Sequence, residues 1–499
     1  MPNAFAYLML FAWPIIAAVL FRVLPLQKAL VWTMLGGYLL LPAATSVKFP
    51  MLPAIDKAMV PSLTALILCM IHAPKSTLAP GNSGRIGRIV TISLLVMMIG
   101  APVITVLLNP EPVAAGPFFI SGLRLYDAFS MISAILVSIV PFWIGLRYLN
   151  DREGHRILLQ AFVVGALAYS VPALLEARLS PQLHTWIYGF FQHDFIQHIR
   201  AGGFRPIVFL NHGLMIGILF CSSLIAALVL WREGLREGKA ASGWIFAAIW
   251  LMLILVVSKN FGALSIAVFL APFAIFAGRR VQTACAIVIA TVIVLFPMLR
   301  GAGLIPVDAV YDFALSINAE RADSLLFRFR NEDLLLAHAN DKALFGWGSW
   351  GRNLLYEEGT GRIRTIADGA WIIIIGTFGW VGYIANFGLL TVPILFYFLK
   401  RNQFGPSLVT PGLILVLCVT LIDLIPNAGL VAYVWLMAGG LAGYVLWRPV
   451  EAPEGPTSVK VQAEAGRQGS ASLEPPKWVM ATTGPSQRKP RTARRQGLE

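Results

Sequence analysis

Arg328 is the residue of this chain best suited to bind an anionic group. It stands in the run from Asp323 to His338, where arginines and acidic residues fall on one face of a predicted helix and leucines on the other. An arginine stays charged and grips phosphate oxygens with a planar fork. Its position before a glycine turn favours contact with an anionic substrate, and an anchor to lipid headgroups is the alternative. Arg330 faces another way and is either a substrate contact or a lipid anchor.

A glycine-rich, aromatic turn follows this predicted helix. Gly346 and Gly348 break the helical pattern, and glycine lets the backbone approach a ligand closely. The two glycines are therefore candidate substrate-binding positions, with simple loop closure as the alternative. Trp347, Trp350 and Trp371 suit sugar stacking, but they equally suit the aromatic belt at a membrane interface, which is the more conservative interpretation.

Asp368, at the mouth of the next apolar run, is the candidate catalytic base, because a carboxylate can accept a proton from a hydroxyl. His184, His193 and His198 share a loop with Asp194, yet their spacing does not place them on one helix face, so we predict no metal site. The sequence has no P-loop and no D-x-D, H-E-x-x-H, G-x-S-x-G or C-x-x-C motif. It therefore predicts no cofactor, no nucleotide donor and no metal hydrolase.

The composition places these residues in a membrane protein. Of 499 residues, 57% are hydrophobic and 13% are charged, whereas the apolar share of soluble domains is roughly 45–50%. Apolar windows of about 17 to 25 residues recur, as a helix needs to cross a bilayer. The sequence predicts an all-α polytopic membrane protein with about thirteen transmembrane helices. Their centres lie near Ile15, Leu35, Ala65, Val96, Leu136, Val164, Phe220, Leu251, Val268, Val288, Ala385, Leu417 and Leu436.

Loop charges predict how these helices are oriented. Lys and Arg accumulate in short cytoplasmic loops, and here they occupy every second loop along the chain. The intervening loops are predicted to lie outside, and so is the N-terminus. These outside loops are residues 109–127, 176–206, 258–260, 300–369 and 423–427. The net charge of +14 comes mostly from the inside loops, so we predict membrane lipid and no nucleic acid as a partner.

The sequence divides into two parts. Residues 1–448 form the predicted transmembrane domain, with large outside loops at 176–206 and 300–369, the second of them helical. Residues 449–499 are rich in Pro, Gly, Ser, Ala and Gln with scattered charge, which predicts a disordered cytoplasmic tail. The four cysteines lie in apolar runs without disulfide or metal spacing.

Several motifs in the second half of the chain resemble the bacterial O-antigen ligase and O-antigen polymerase superfamily. The first is the spacing from Arg328 to the Gly346 and Gly348 turn and on to Gly379 and Gly382. A second is the short turn from Ser258 to Ala263, where Lys259 or Asn260 stands in place of the usual arginine. A third is the Arg- and Gly-rich segment from Arg200 to His212. Together the motifs cover residues 200–427, about half of the chain.

The resemblance implies a metal-independent GT-C-type membrane glycosyltransferase in the bacterial inner membrane. The expected donor is a glycan on polyprenyl pyrophosphate, used at the periplasmic face. Arg328 is the first choice to neutralise the leaving pyrophosphate, and Arg200 or Arg205 is the second arginine. Lys259 and His212 match positions that contact or support substrate.

Asp368 and Gly369 stand where ligases carry a His-Asn pair, which favours a polymerase of lipid-linked repeat units, active in O-antigen, capsule or exopolysaccharide synthesis. The alternatives are a ligase that transfers glycan to lipid A core, a lipid-linked glycan transporter, and a non-catalytic scaffold. Transporters usually show internal repeats and mid-membrane charges, and this sequence shows neither. Other polysaccharide-assembly proteins are further expected partners.

Overall fold

A computed structural model describes residues 1–49, 52–72, 84–200, 202–317 and 319–447, so the predicted tail at 449–499 lies outside the described residues. Within these ranges the chain is mostly helical. The helices are α1 Ala4–Val23, α2 Leu26–Leu40, α3 Met59–His72, α4 Arg85–Leu107, α5 Leu125–Tyr148, α6 Arg152–Leu179, α7 Leu183–Tyr188, α8 Gly213–Arg236, α9 Ser242–Val257, α10 Phe261–Phe276, α11 Arg279–Gly301, α12 Val307–Ile317, α13 Ala319–Asn340, α14 Ala370–Lys400, α15 Val409–Asp423 and α16 Ala432–Ala442.

Strands are few and short in the described ranges. They form three antiparallel pairs: β1 Ser46–Val47 with β2 Ile55–Asp56, β3 Val113–Ala115 with β4 Phe118–Ile120, and β5 Ile199–Arg200 with β6 Gly203–Phe204. Each pair lies in a connection between helices. The hairpins therefore shape loops and build no sheet core.

Seven helices of the described chain are long and apolar enough to cross a membrane, namely α1, α4, α5, α6, α8, α11 and α14. Five shorter apolar helices accompany them: α3, α9, α10, α15 and the helix Ala432–Trp447, which continues α16. Every one of the predicted span centres lies within a helix. The all-α, multi-pass class is thus supported, and the count of about thirteen spans stays a prediction.

Burial separates central from peripheral helices. Nearly all of the apolar window of α8 is buried, and α15 and α16 are buried along their lengths. Peripheral helices instead expose apolar side chains outward: Ile15 on α1 is 69% exposed, Val96 on α4 65% and Val288 on α11 61%. A helix that is apolar all round and also faces outward suits a hydrocarbon environment.

Hydrogen bonds sort the loops into two groups, one at each end of the helices. The first group joins the loops predicted to lie outside, through Asn109 Nδ2 to Gly346 O at 3.0 Å, Arg205 Nη2 to Lys259 O at 3.5 Å and Arg328 Nη1 to Pro426 O at 3.4 Å. The second joins loops predicted inside, through Gln27 to Asp151, Arg156 to Glu237, and Ser407 to Glu233. We call the first group the Arg328 end.

Candidate functional site

Arg328 and Asp368 form an ion pair at the Arg328 end. Helix α13 carries Arg328, whose Nε lies 3.3 Å from Asp368 Oδ2. Its Nη1 also donates to the carbonyl of Pro426 at 3.4 Å. The two side chains are 34% and 36% exposed, so the pair is half-buried and open to an incoming group. The predicted phosphate-binding arginine and the predicted base are therefore direct neighbours.

Buried polar contacts fix α13 in this position. Arg300, at the end of α11, is 8% exposed and contacts Asp333 Oδ1 at 2.8 Å and the carbonyl of Phe329 at 3.2 Å through Nη2. Asn331 accepts the backbone N–H of Ile366 at 2.9 Å, and Asn331 is itself buried. One contact ties α13 to α11, and the other ties it to the segment that leads to Asp368.

The Asp368 segment is held against the end of α15. The backbone N–H of Ala370 donates to the carbonyls of Leu424 at 3.0 Å and Asn427 at 3.1 Å. Gly369 must be glycine here, because a Cβ would lie 2.1 Å from the Ile425 carbonyl oxygen. The turn after α15 therefore supplies the Pro426 carbonyl that Arg328 contacts.

Arg205 and Lys259 meet on a second pair of loops. The backbone N–H of Arg205 donates to His198 O at 2.7 Å, and its Nη2 lies 3.5 Å from Lys259 O. Lys259 has φ of 56°, and a Cβ on Gly203 would lie 2.4 Å from Lys259 Nζ. The backbone of Arg200 pairs with Gly203, while the Arg200 side chain lies outside the described part of the chain.

His212 links the two arginines electrostatically. It caps α8 by accepting the N–H of Leu214 on Nδ1 at 2.9 Å, so the neutral ring carries its proton on Nε2. Burial, then the neighbouring histidines, then the charges of Arg205 and Arg328 lower the pKa of His212 to about 3. His212 is thus a neutral N–H donor at physiological pH. The charges of Arg205 and Arg328 therefore both reach the His212 ring.

Three imidazoles pack together beside this region. The ring of His193 lies 4.4 Å from that of His212 and 5.5 Å from that of His198, both edge-on. The rings of His198 and His212 are 5.6 Å apart. No group of three or more His, Cys, Asp or Glu side chains among the described residues has the arrangement to hold a metal ion.

The glycine turn packs against protein. A Cβ on Gly346, whose φ is 69°, would lie 2.6 Å from the Thr377 carbonyl carbon, and one on Gly348 would lie 2.5 Å from Leu123. The N–H of Gly348 donates to Thr377 O at 3.0 Å. The turn thus pairs with α14 where Gly379, at φ 64°, breaks that helix. Gly346 closely approaches backbone and Gly348 closely approaches the Leu123 side chain, so both positions contact protein, and ligand binding by these glycines stays a prediction.

Glu332 is the residue of this region that the sequence analysis missed. It lies one helical turn after Arg328 and is only 7% exposed. Burial raises its pKa to about 7, and Asp333 adds to this, while the charges of Arg300 and Arg328 oppose it. The spacing of four residues from Arg328 was the available signal. Arg330, by contrast, is exposed, as its position two residues on suggests.

These side chains suit the binding of an anionic leaving group. Arg328 on α13 and Arg205 and Lys259 on two loops supply positive charge, and Asp368 supplies a proton acceptor beside Arg328. Preorganised cations of this kind stabilise developing negative charge. No protein-family model matches the chain, and no curated protein matches it, so the resemblance to the O-antigen ligase and polymerase superfamily stands on the residues alone.

Proposed function

We propose that this protein is a membrane glycosyltransferase that polymerises polyprenyl-pyrophosphate-linked oligosaccharide repeat units into a surface polysaccharide. The observation that carries the proposal is the half-buried Arg328–Asp368 ion pair, and Arg205 is the proposed second arginine. A carboxylate and two arginines match the two needs of glycosyl transfer from a lipid pyrophosphate. These are a base for the acceptor and fixed charge for the leaving group.

In the proposed reaction, the incoming pyrophosphate takes hydrogen bonds from Arg328 and so releases the Asp368 carboxylate. Asp368 accepts the proton of the acceptor hydroxyl, whose oxygen attacks the anomeric carbon of the donor sugar. The bond from that carbon to the phosphate oxygen breaks, and its electron pair leaves with the pyrophosphate. Arg328, Arg205 and Lys259 neutralise the charge that develops on this leaving group. His212 donates its Nε2–H to substrate.

The proposed setting is the bacterial inner membrane, with about thirteen crossings and the Arg328 end facing the periplasm. The sorting of loops supports this arrangement, because loops rich in Lys and Arg contact one another at the end away from Arg328. In this orientation the Arg328 end would bind lipid-linked glycans on the periplasmic side, where surface polysaccharide is assembled.

Asp368 distinguishes the polymerase from its nearest alternative. A ligase, which transfers glycan to lipid A core, carries a His-Asn pair where this chain has Asp368 and Gly369. The tight fit of Gly369 against the Ile425 carbonyl leaves no room for a side chain at that position. The chain therefore departs from the ligase pattern at this pair of residues, and the ligase becomes an outcome of the test.

The test is reconstitution of the purified full chain with a polyprenyl-pyrophosphate-linked oligosaccharide and separation of the products by size. A ladder of lengthened lipid-linked chains is the expected result. A single transfer that requires added lipid A core would mean a ligase instead. Absence of transfer under both conditions, with lipid extracted from the native host, would refute the enzyme proposal and favour a transporter or scaffold.

A further inference from the structure

A polar cleft of about 380 Å³, whose lining does not include Arg205 or Arg328, lies between the glycine turn and the loop before α5. Ser121, Tyr126, Asp127, Ser130, Trp350 and Arg352 are among its lining residues. These residues belong to loops of the Arg328 end and to the start of α5, and Phe49 and Leu52 also line the cleft. We propose that this cleft binds uncharged sugar residues of a glycan chain. The choice of glycan as the ligand class rests on the proposed function.

Arg352 builds the wall between the two loops. Its side chain is fully buried, and it donates through Nε to Trp347 O at 3.1 Å, through Nη1 to Ser121 O at 3.0 Å and through Nη2 to Glu111 O at 2.8 Å. Three carbonyl acceptors on two loops fix the loops relative to each other. The cleft is therefore preformed, which limits the ordering that a ligand would have to impose.

Trp350 is strained and exposed at the same time. Its φ of 57° is left-handed, which a bulky residue rarely adopts, and glycines occupy similar conformations at Gly348 and Gly351. The indole is 52% exposed, so packing of its own side chain does little to offset the strain. A glycine would suit this backbone better. Strain without compensating burial indicates that the indole is kept for contact with something outside the chain.

The other two tryptophans of this segment are explained by the fold. The Trp347 indole N–H donates to His338 O at 2.7 Å, and its ring stacks on the His338 ring with centroids 4.3 Å apart. Trp371 is 1% exposed. Trp350 therefore differs from both of its neighbours in being available to a ligand.

The chemistry of the cleft matches a sugar ring. A pyranose has an apolar C–H face and a rim of hydroxyl groups, and it needs a flat apolar surface beside hydrogen-bonding groups. Trp350 and Tyr126, 52% and 49% exposed, offer aromatic surface. Asp127 accepts the Arg124 N–H with one carboxylate oxygen, Oδ2, and Ser130 lies on the same helix. Together they supply both kinds of surface without a net positive charge that would select phosphate.

The experiment measures binding of lipid-free, pyrophosphate-free neutral hexasaccharides, presented as a panel, to the full chain in nanodiscs. Trp350→Gly is the main variant, because glycine suits the left-handed backbone and the variant should fold. Binding should weaken by about tenfold or more, with an unchanged or higher melting temperature. Trp186→Ala is the matched control, since Trp186 is a 62% exposed tryptophan on α7, and it should stay within about twofold.

Tyr126→Ala provides a second variant and should also weaken binding. The proposal is overturned if no hexasaccharide binds the wild type, if Trp350→Gly binds as well as wild type, or if Trp350→Gly melts at a lower temperature, which would give the indole a packing role. The outcome is separable from that of the proposed function. If saccharide binding requires Trp350 but the protein has no transferase activity, only the proposed function is refuted. If transferase activity is present but saccharide binding does not depend on Trp350, only the cleft proposal is refuted.

Discussion

Replacing Arg328 with alanine should abolish glycan transfer and leave the fold intact. The structural cost follows from the geometry. Arg328 contacts Asp368 at 3.3 Å and the Pro426 carbonyl at 3.4 Å, and both partners of the ion pair are about one-third exposed. Half-exposed pairs of this kind contribute about 0–1 kcal/mol to stability. The free energy of unfolding of Arg328→Ala should therefore lie within about 1 kcal/mol of the wild-type value.

The catalytic cost should be much larger. A fixed donor that faces developing charge contributes about 2.7–4 kcal/mol, which corresponds to roughly a 10²- to 10³-fold loss of rate. Arg328→Lys keeps the charge but loses the planar fork, so its loss should be intermediate. The assay is the initial rate of chain elongation in proteoliposomes at matched protein content, with melting curves on the same samples.

Arg330→Ala is the matched control, because Arg330 is an exposed arginine two residues along the same helix. It should retain the wild-type rate within about threefold. A rate for Arg328→Ala within that same range would refute the role of Arg328. Equal losses in both variants would show that general positive charge on α13, and not the pair with Asp368, governs activity.

Three further predictions concern the supports of the site. Burial raises the pKa of Glu332 from 4.5 to about 7, so the folded state binds the proton more tightly than the unfolded state. Stability should then fall by at most about 3 kcal/mol as pH rises from 4.5 to 7, and melting curves of Glu332→Gln should lose this slope. Gly346→Ala should destabilise by about 1–3 kcal/mol, because its φ is 69° and a Cβ would meet Thr377; thermal melts measure this. Arg352→Met leaves three carbonyls without their donor at about 1–3 kcal/mol each, so the yield of monodisperse protein should collapse.

Sequence patterns predicted the helices well because hydropathy and helical period are local properties. Each predicted span centre lies in a helix, and the helix predicted over residues 323–338 is confirmed as Ala319–Asn340. The helix around Ala65 is described from Met59 to His72, and the residues that follow it, 73–83, lie outside the described part of the chain.

The break in α14 at Gly379 could not be predicted. Hydropathy is continuous from Ala370 to Lys400, but the N–H groups of Trp380 and Val381 donate to carbonyls of the glycine turn, which a local pattern cannot reveal. The same holds for Pro426, whose carbonyl contacts Arg328 only because two distant helix ends meet.

Arg328, Asp368 and His212 were named from residue chemistry and from the resemblance; the structure pairs Arg328 with Asp368, and the charge of Arg328 reaches His212. Glu332 was not predicted as a site residue, because a glutamate on a charged helix face is expected to be solvated. Its burial arises where α13 packs in the folded chain, and the charge of Arg300 at the end of α11 acts on it there. Roles that depend on tertiary burial need the structure, whereas roles that depend on residue type can be predicted from sequence.

Under the proposed function, one lipid pyrophosphate binds to both Arg328 and Arg205. The most direct test is the affinity of the purified protein for polyprenyl pyrophosphate and polyprenyl monophosphate, in the wild type, both single alanine variants and the double variant. We predict tighter binding of the pyrophosphate and a coupling energy between the two arginines of about 0.5–3 kcal/mol, because both contact the same ligand. Equal affinity for the two lipids, together with additive effects of the two substitutions, would contradict the account.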